Sequence, residues 1–406
     1  MQIDKKTALP ASVAPVSPEV RRENELRAGD IFPFRTWKSL PSFSTVILNL
    51  SLSAGTLVVS AGGLLLTLGV FLPISILKTL GGYVGGLSGR QRVISLSGDV
   101  RRRCVVITGA SSGIGAALVL EYAGPDTHIV LIARDDGRLK DIAAQAQRQG
   151  ATTAVHSIDL FEPANTVKLR QLLQEVEAET DGIDIAIACA SVTGHRADVL
   201  DEDVEHVPPL GDSSQADGAQ PDEIADRGDV WGATTASRML QVNVAANQEF
   251  ILGTWELMKT RSLRDKSASR PSPKIIVLSS STAFFTPASF ALYAASKAYL
   301  YSLARSLQIA SVPYGISVIT VTPGFMETGL TATMAKVGAT FPTAILGDPR
   351  KLARKIRRSE EKDELVVFYP VSQVWSLYAL RGLNPLMETF GMWAGAASGV
   401  AAWFFS

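Results

Sequence analysis

From Arg101 onward, short apolar runs alternate with amphipathic stretches: CVVITG, AALVLEYA, HIVLIA, a helical stretch from Leu139 to Gln149, then DIAIACA. A strand buried on both faces reads as an unbroken apolar run, and a helix between two such runs returns the chain to start a parallel neighbour. The pattern therefore predicts an α/β domain, a parallel sheet with helices on both faces. The alternation stops between Val192 and Trp231. Residues 198–229 are acidic and carry Pro208, Pro209, Gly211, Gly218 and Pro221, so they read as a surface insertion. Regular structure is expected again as a helix around Ala236 to Arg261, the strand KIIVLSS, a helix from about Ala291 to Ala310 and the strand ISVITVTPG. A helix near Pro349 to Arg358 and the strand LVVFYP follow.

Two stretches depart from this pattern by being apolar throughout. No charged residue occurs from Ser39 to Leu77, and residues 46–77 are dominated by Leu, Val, Ile, Ala and Gly. About 20 apolar residues cross a bilayer, so residues 41–80 read as a membrane anchor. Gly62, Gly63 and Pro73 leave open one tilted span or a re-entrant pair. Cations flank the stretch on both sides, so its orientation stays open. The run is too long and too far from the first residue for a cleaved signal peptide. Residues 1–40, rich in Pro, Ser and charge, read as a disordered leader. The last 18 residues are uncharged, and Trp393, Trp403, Phe404 and Phe405 give residues 371–406 the character of a membrane-associating or lid tail. Between anchor and tail, residues 100–370 form the expected catalytic domain, with the insertion at 195–230.

Composition narrows the function classes. Lysine plus arginine number 39 and aspartate plus glutamate 39. No basic excess exists to hold a phosphate backbone, so nucleic acid is not an expected partner. The two cysteines, Cys104 and Cys189, lie in apolar runs and the four histidines are scattered, so neither a disulfide framework nor a metal site is expected.

The chemistry begins where CVVITG runs into TGASSGIG. Gly109, Gly113 and Gly115 lead from a strand into a helix, where a turn needs positive φ and a pyrophosphate needs backbone without a Cβ in its way. Ser111, Ser112 and Ile114 complete the loop, and the helix N-terminus offers unpaired amides to an anion. The second strand ends at Arg134, where an acidic residue would hold the ribose hydroxyls of NAD; arginine suits the 2′-phosphate of NADP instead, with Asp135 beside it as a counterweight. Asp159, after the third strand, is placed to accept from an adenine amino group. Further on, Tyr293 and Lys297 stand four residues apart on one helical face, where an ammonium beside a phenol favours the phenolate. Ser280, 13 residues earlier at a strand end, has a hydroxyl suited to orienting a substrate oxygen, with Ser279 and Ser281 as competing candidates.

With TGASSGIG and YAASK in this order, the chain resembles the short-chain dehydrogenase/reductase family over roughly 101–370, interrupted by the insertion. The resemblance implies a Rossmann-type doubly wound sheet, NADP(H) as cofactor and a tetrad of Asn243, Ser280, Tyr293 and Lys297. Tyr293 would donate the proton, Lys297 would also hold the nicotinamide ribose, and Asn243 would position a water. Pro323 and Gly324 of VTPGFMET would approach the nicotinamide, and Thr328 would bind its carboxamide or a phosphate. One departure stands out: the family's Asn-Asn-Ala-Gly after the fourth strand is here Ala188, Cys189, Ala190 and Ser191. The resemblance implies reduction of a ketone, or the reverse oxidation; the anchor and the apolar tail point to a lipophilic substrate such as a long-chain keto lipid, steroid, polyketide or terpenoid. A membrane location, the endoplasmic reticulum, and a homodimer paired through the helices bearing Tyr293 and Asn243 complete the expectation. The competing classes are a catalytically silent nucleotide-binding adaptor and a nucleotide-sugar epimerase or dehydratase.

Overall fold

A computed structural model describes residues 101–193, 233–265, 271–284, 291–336 and 346–374, with isolated positions between 51 and 77. The chain divides into two compact units, Met1–Arg90 and Gln91–Ser406. In the second unit, seven strands form one parallel sheet in the order β3-β2-β1-β4-β5-β6-β7. They are β1 (Arg103–Thr108), β2 (Thr127–Ala133), β3 (Thr152–Ser157), β4 (Ile185–Ala188), β5 (Lys274–Leu278), β6 (Ser317–Pro323) and β7 (Val366–Tyr369). The predicted doubly wound α/β fold is present. Its order reverses between β1 and β4, and ligands of such sheets bind outside the strand ends at that switch point.

Period-2 alternation within the apolar strands divides two cores. Val105 and Ile107 of β1 face one side, with Leu118 and Val119 of helix α1 (Gly113–Tyr122), Leu139 of α2 (Asp136–Arg148) and Leu352 and Ile356 of α8 (Pro349–Glu361). Cys104 and Val106 face the other, packed with Leu169 and Leu173 of α3 (Asn165–Glu179), Phe250 of α5 (Asn247–Arg264) and Leu300 of α6 (Ala291–Ala310).

Helix α2 starts three residues before the expected Leu139, because the Asp135 carboxylate caps it by accepting from Arg138 N at 2.9 Å. The helix expected from Ala236 to Arg261 is three pieces: α4 (Ala233–Leu240), a π-helical turn (Gln241–Ala246) and α5. A short helix α7 (Gly329–Lys336), absent from the apolar pattern, follows the last cleft loop, and α8 runs three residues beyond Arg358.

The leader, the acidic insertion and nearly all of the C-terminal tail lie outside the described residues. So does most of the anchor, whose described positions between 51 and 77 are helical, including a π turn at Thr67–Phe71. Among the described residues no helix is long and apolar enough to cross a membrane.

Candidate active site and nucleotide cleft

The carboxyl ends of β1, β2, β4, β5 and β6 surround a cleft of about 460 Å3. The β1–α1 turn forms its floor. Gly109 has φ +69° and Gly113 φ +53°, the left-handed region where a side chain is strained. A Cβ on Gly109 would stand 2.9 Å from the Ala190 backbone, and one on Gly115 would stand 2.0 Å from Gly109 O. These glycines thus serve close packing of strand, turn and helix as well as an open approach for a phosphate. Ser112, the residue before α1, makes no side-chain cap, so the first amides of the helix face the cleft without one.

The predicted residues Gly109, Ser111, Ser112, Gly113, Ile114, Gly115, Arg134, Asp159, Ser280, Tyr293, Lys297, Pro323, Gly324 and Thr328 all line this one cleft. Asp159 turns Oδ1 to the Phe161 amide at 3.0 Å, bracing its own turn. Arg134 lies over the Phe161 ring, 5.4 Å from its centroid, while Asp135, expected to oppose it, is paired with Arg138 at 3.0 Å. Arg138 itself lines the cleft and was not anticipated; a cation one turn into the helix after a strand-end arginine was the available signal. Thr328 packs its methyl against Gly113, 3.3 Å from where a Cβ would stand there. On the other side, a Cβ on Gly324 would fall 2.3 Å from Gln373 Oε1, so the Gln373 side chain packs against this glycine.

At the reacting end, α6 carries Tyr293 and Lys297 on adjacent turns, with Lys297 Nζ 5.6 Å from the Tyr293 ring centroid. Lys297 is buried and donates to Leu278 O at 3.3 Å, so its ammonium sits on the end of β5. The three candidate serines separate clearly. Ser279 donates to Lys297 O at 2.7 Å and fastens α6 to the sheet, whereas the Ser280 hydroxyl is the one of the three that pulls the Tyr293 phenol down. Ser280 also accepts from Thr282 N at 3.2 Å, which orients it.

Burial governs the two titrating groups. It pushes the Tyr293 phenol up to about 12, against the pull of the Ser280 and Ser191 hydroxyls, and pushes Lys297 down to about 8. The expected lowering of the phenol by its neighbouring ammonium is not among the causes of its shift; desolvation dominates in the protein alone.

Asn243 is fully buried and is not among the residues of the cleft wall. Its side chain grips the β4 extension: Nδ2 donates to Val192 O at 2.8 Å and Ser296 Oγ at 3.3 Å, while Oδ1 accepts from Val192 N at 2.9 Å and Ser191 Oγ at 3.3 Å. Every polar hydrogen and lone pair of the amide is engaged, which leaves the side chain no group with which to hold the expected water. The π turn that carries Asn243 sets this placement, as such turns frequently do at functional sites.

The missing Asn-Asn-Ala-Gly sequence has local substitutes. Thr108 Oγ1 accepts from the Cys189 and Ala190 amides at 3.1 and 3.3 Å, and Asn247 Nδ2 donates to Ala190 O at 2.9 Å. The strand end is thereby tied to β1 and α5.

Several known proteins are similar to this chain. A 26% identical relative, an 11-beta-hydroxysteroid dehydrogenase-like protein of Arabidopsis thaliana, aligns over 297 residues, 72% of this chain and 81% of its own. A short chain dehydrogenase of Pseudocercospora fijiensis is 23% identical over 65% of this chain and 72% of its own. Among solved structures, a short-chain dehydrogenase from Sphingobium yanoikuyae in complex with NADPH superposes with a TM-score of 0.50 at 21% identity, over 74% of this chain and 95% of that one, and shares the fold. The family model described as short chain dehydrogenase matches residues 103–208 and 232–337, so the chain belongs to the short-chain dehydrogenase family of nicotinamide-dependent oxidoreductases.

Proposed function

We propose that this protein is an NADPH-dependent reductase of a lipophilic ketone, working reversibly as an alcohol dehydrogenase. The observation that carries the reading is the meeting of Ser280, Tyr293 and Lys297 with the glycine turn around one cleft. The residues present fit a dinucleotide: the glycine cradle has no room for side chains, and the first amides of α1 lack a side-chain cap. NADPH, when bound, supplies the hydride. The chain's own residues manage the proton. Tyr293 Oη stands protonated at neutral pH, its pKa near 12, and gives its proton to the substrate oxygen as that oxygen gains negative charge. Ser280 orients the same oxygen through its hydroxyl. Lys297, with a pKa near 8, is mostly cationic at neutral pH and lowers the cost of the phenolate left behind.

The preference for NADPH is supported by Arg134 and Arg138 at the far end of the cleft, with Asp135 neutralised by Arg138. Arg134→Ala should weaken NADPH binding about tenfold and leave NADH binding within twofold, read by fluorescence titration of both cofactors. Tighter binding of NADH than NADPH by the natural protein would overturn this assignment.

The lipophilic substrate and a membrane location, in the endoplasmic reticulum, are supported by the uncharged run before Lys78. Its helical positions Val58, Leu65 and Leu77 are 72%, 71% and 68% exposed, apolar surface that water does not favour. The steroid-dehydrogenase name of the Arabidopsis relative supports the same substrate class. A homodimer remains part of this reading, to be tested by cross-linking.

A further inference from the structure

Ser191 stands where the sequence departs from its family, and its surroundings are built with care. On one side, Ala190 donates to Thr108 Oγ1 at 3.3 Å and accepts from Asn247 Nδ2 at 2.9 Å. On the other, Asn243 holds both main-chain groups of Val192, at 2.9 and 2.8 Å. The backbone of Ser191 is thus clamped from both ends. Ser191 lines the same cleft as Tyr293, its hydroxyl donates to Asn243 Oδ1 at 3.3 Å, and it is one of the two hydroxyls that pull the phenol down. Ser280, the other hydroxyl on the phenol, is already oriented by the Thr282 amide and is needed at the substrate oxygen.

We infer that Ser191 is a second hydroxyl on the reacting oxygen, one that turns its proton from Asn243 Oδ1 to Tyr293 Oη as the phenol becomes phenolate. The inference rests on the ketone-reductase reading and assigns a catalytic residue within it. Protons balance simply: the Tyr293 proton passes to the substrate oxygen, while the Ser191 proton stays on Ser191 and changes only its direction. Asn243 Oδ1 loses little, because it keeps the Val192 amide at 2.9 Å. Tyr293 gains a donor at the moment its oxygen becomes charged, and a hydrogen bond to the charged form favours that form. The need follows from burial, which holds the phenol near 12 while the Ser280 and Ser191 hydroxyls pull against it.

Two measurements on the full chain in detergent test this, using Ser191→Ala, Ser191→Thr and Tyr293→Phe. First, with difluorotyrosine in place of tyrosine to bring ionisation into a milder pH range, the fluorine resonance lost in Tyr293→Phe reports Tyr293 alone. Ser191→Ala should raise its ionisation by about one pH unit, a tenfold change, and Ser191→Thr should restore it. Second, in NADPH-dependent reduction of an aryl ketone probe, Ser191→Ala should lower kcat about tenfold with KM and NADPH affinity within twofold. An unchanged titration in Ser191→Ala, a loss confined to KM, or threonine no better than alanine would overturn the inference. Failure of the natural protein to reduce any ketone would instead defeat the reductase reading, and the resonance titration would still decide whether Ser191 acts on the phenol.

Discussion

A buried phenol with a pKa near 12 and a buried amine near 8 make the site directional. Below about pH 8, Tyr293 carries its proton and Lys297 its charge, the pairing that reduction requires. As pH rises through the Lys297 value, the ammonium is lost before the phenol ionises, so the phenolate formed in each turnover loses its counter-charge. The kcat/KM for reduction, which reports the free enzyme, should therefore fall about tenfold per unit above pH 8. A pH–rate profile in the reductive direction checks this; a rate rising through pH 9 would contradict it. The residue types and spacing of Tyr293, Lys297 and Ser280 were legible in the sequence, since a four-residue interval on a helix fixes a shared face. Their protonation was not, because burial, which dominates both groups, is a property of the packed cleft. Ser191 was noticed only as a departure from a motif; its contacts depend on Asn243, 52 residues away.

At the scale of elements, the central parallel strands were read from sequence because burial on both faces makes them apolar throughout, as in the fully buried β4 and β5, whereas the half-buried edge strand β3 shows no such run. Helix ends were less legible. The start of α2 is set by a single carboxylate, and α7, eight residues long, is too short to display a period. The π turn at Gln241–Ala246 was invisible, because one extra residue per turn of hydrogen bonding leaves no mark on an apolar pattern, yet it places Asn243. The glycine turn offers the sharpest test at this scale. Gly115→Ala puts a methyl 2.0 Å from Gly109 O, backbone against backbone, with nowhere to yield cheaply. It should cost about 1–3 kcal/mol in urea unfolding and abolish the stabilisation that NADPH gives the natural protein. A variant that melts normally and is still stabilised by NADPH would show that the turn tolerates a Cβ.

For the whole molecule, the division at residues 90 and 91 separates the apolar run from the sheet domain. If the uncharged run attaches the protein to lipid, deleting residues 46–77 should move most of the chain from the vesicle pellet to the supernatant in co-sedimentation with neutral phospholipid vesicles. Unchanged co-sedimentation would assign attachment elsewhere. Through all of this the central claim concerns one proton. Turnover of NADPH with an aryl ketone, compared between the natural chain and Tyr293→Phe at matched cofactor occupancy, tests it most directly. The phenylalanine variant should bind NADPH within twofold and lose turnover by roughly 10²–10⁴-fold; turnover at the natural rate would mean that the proton comes from another group.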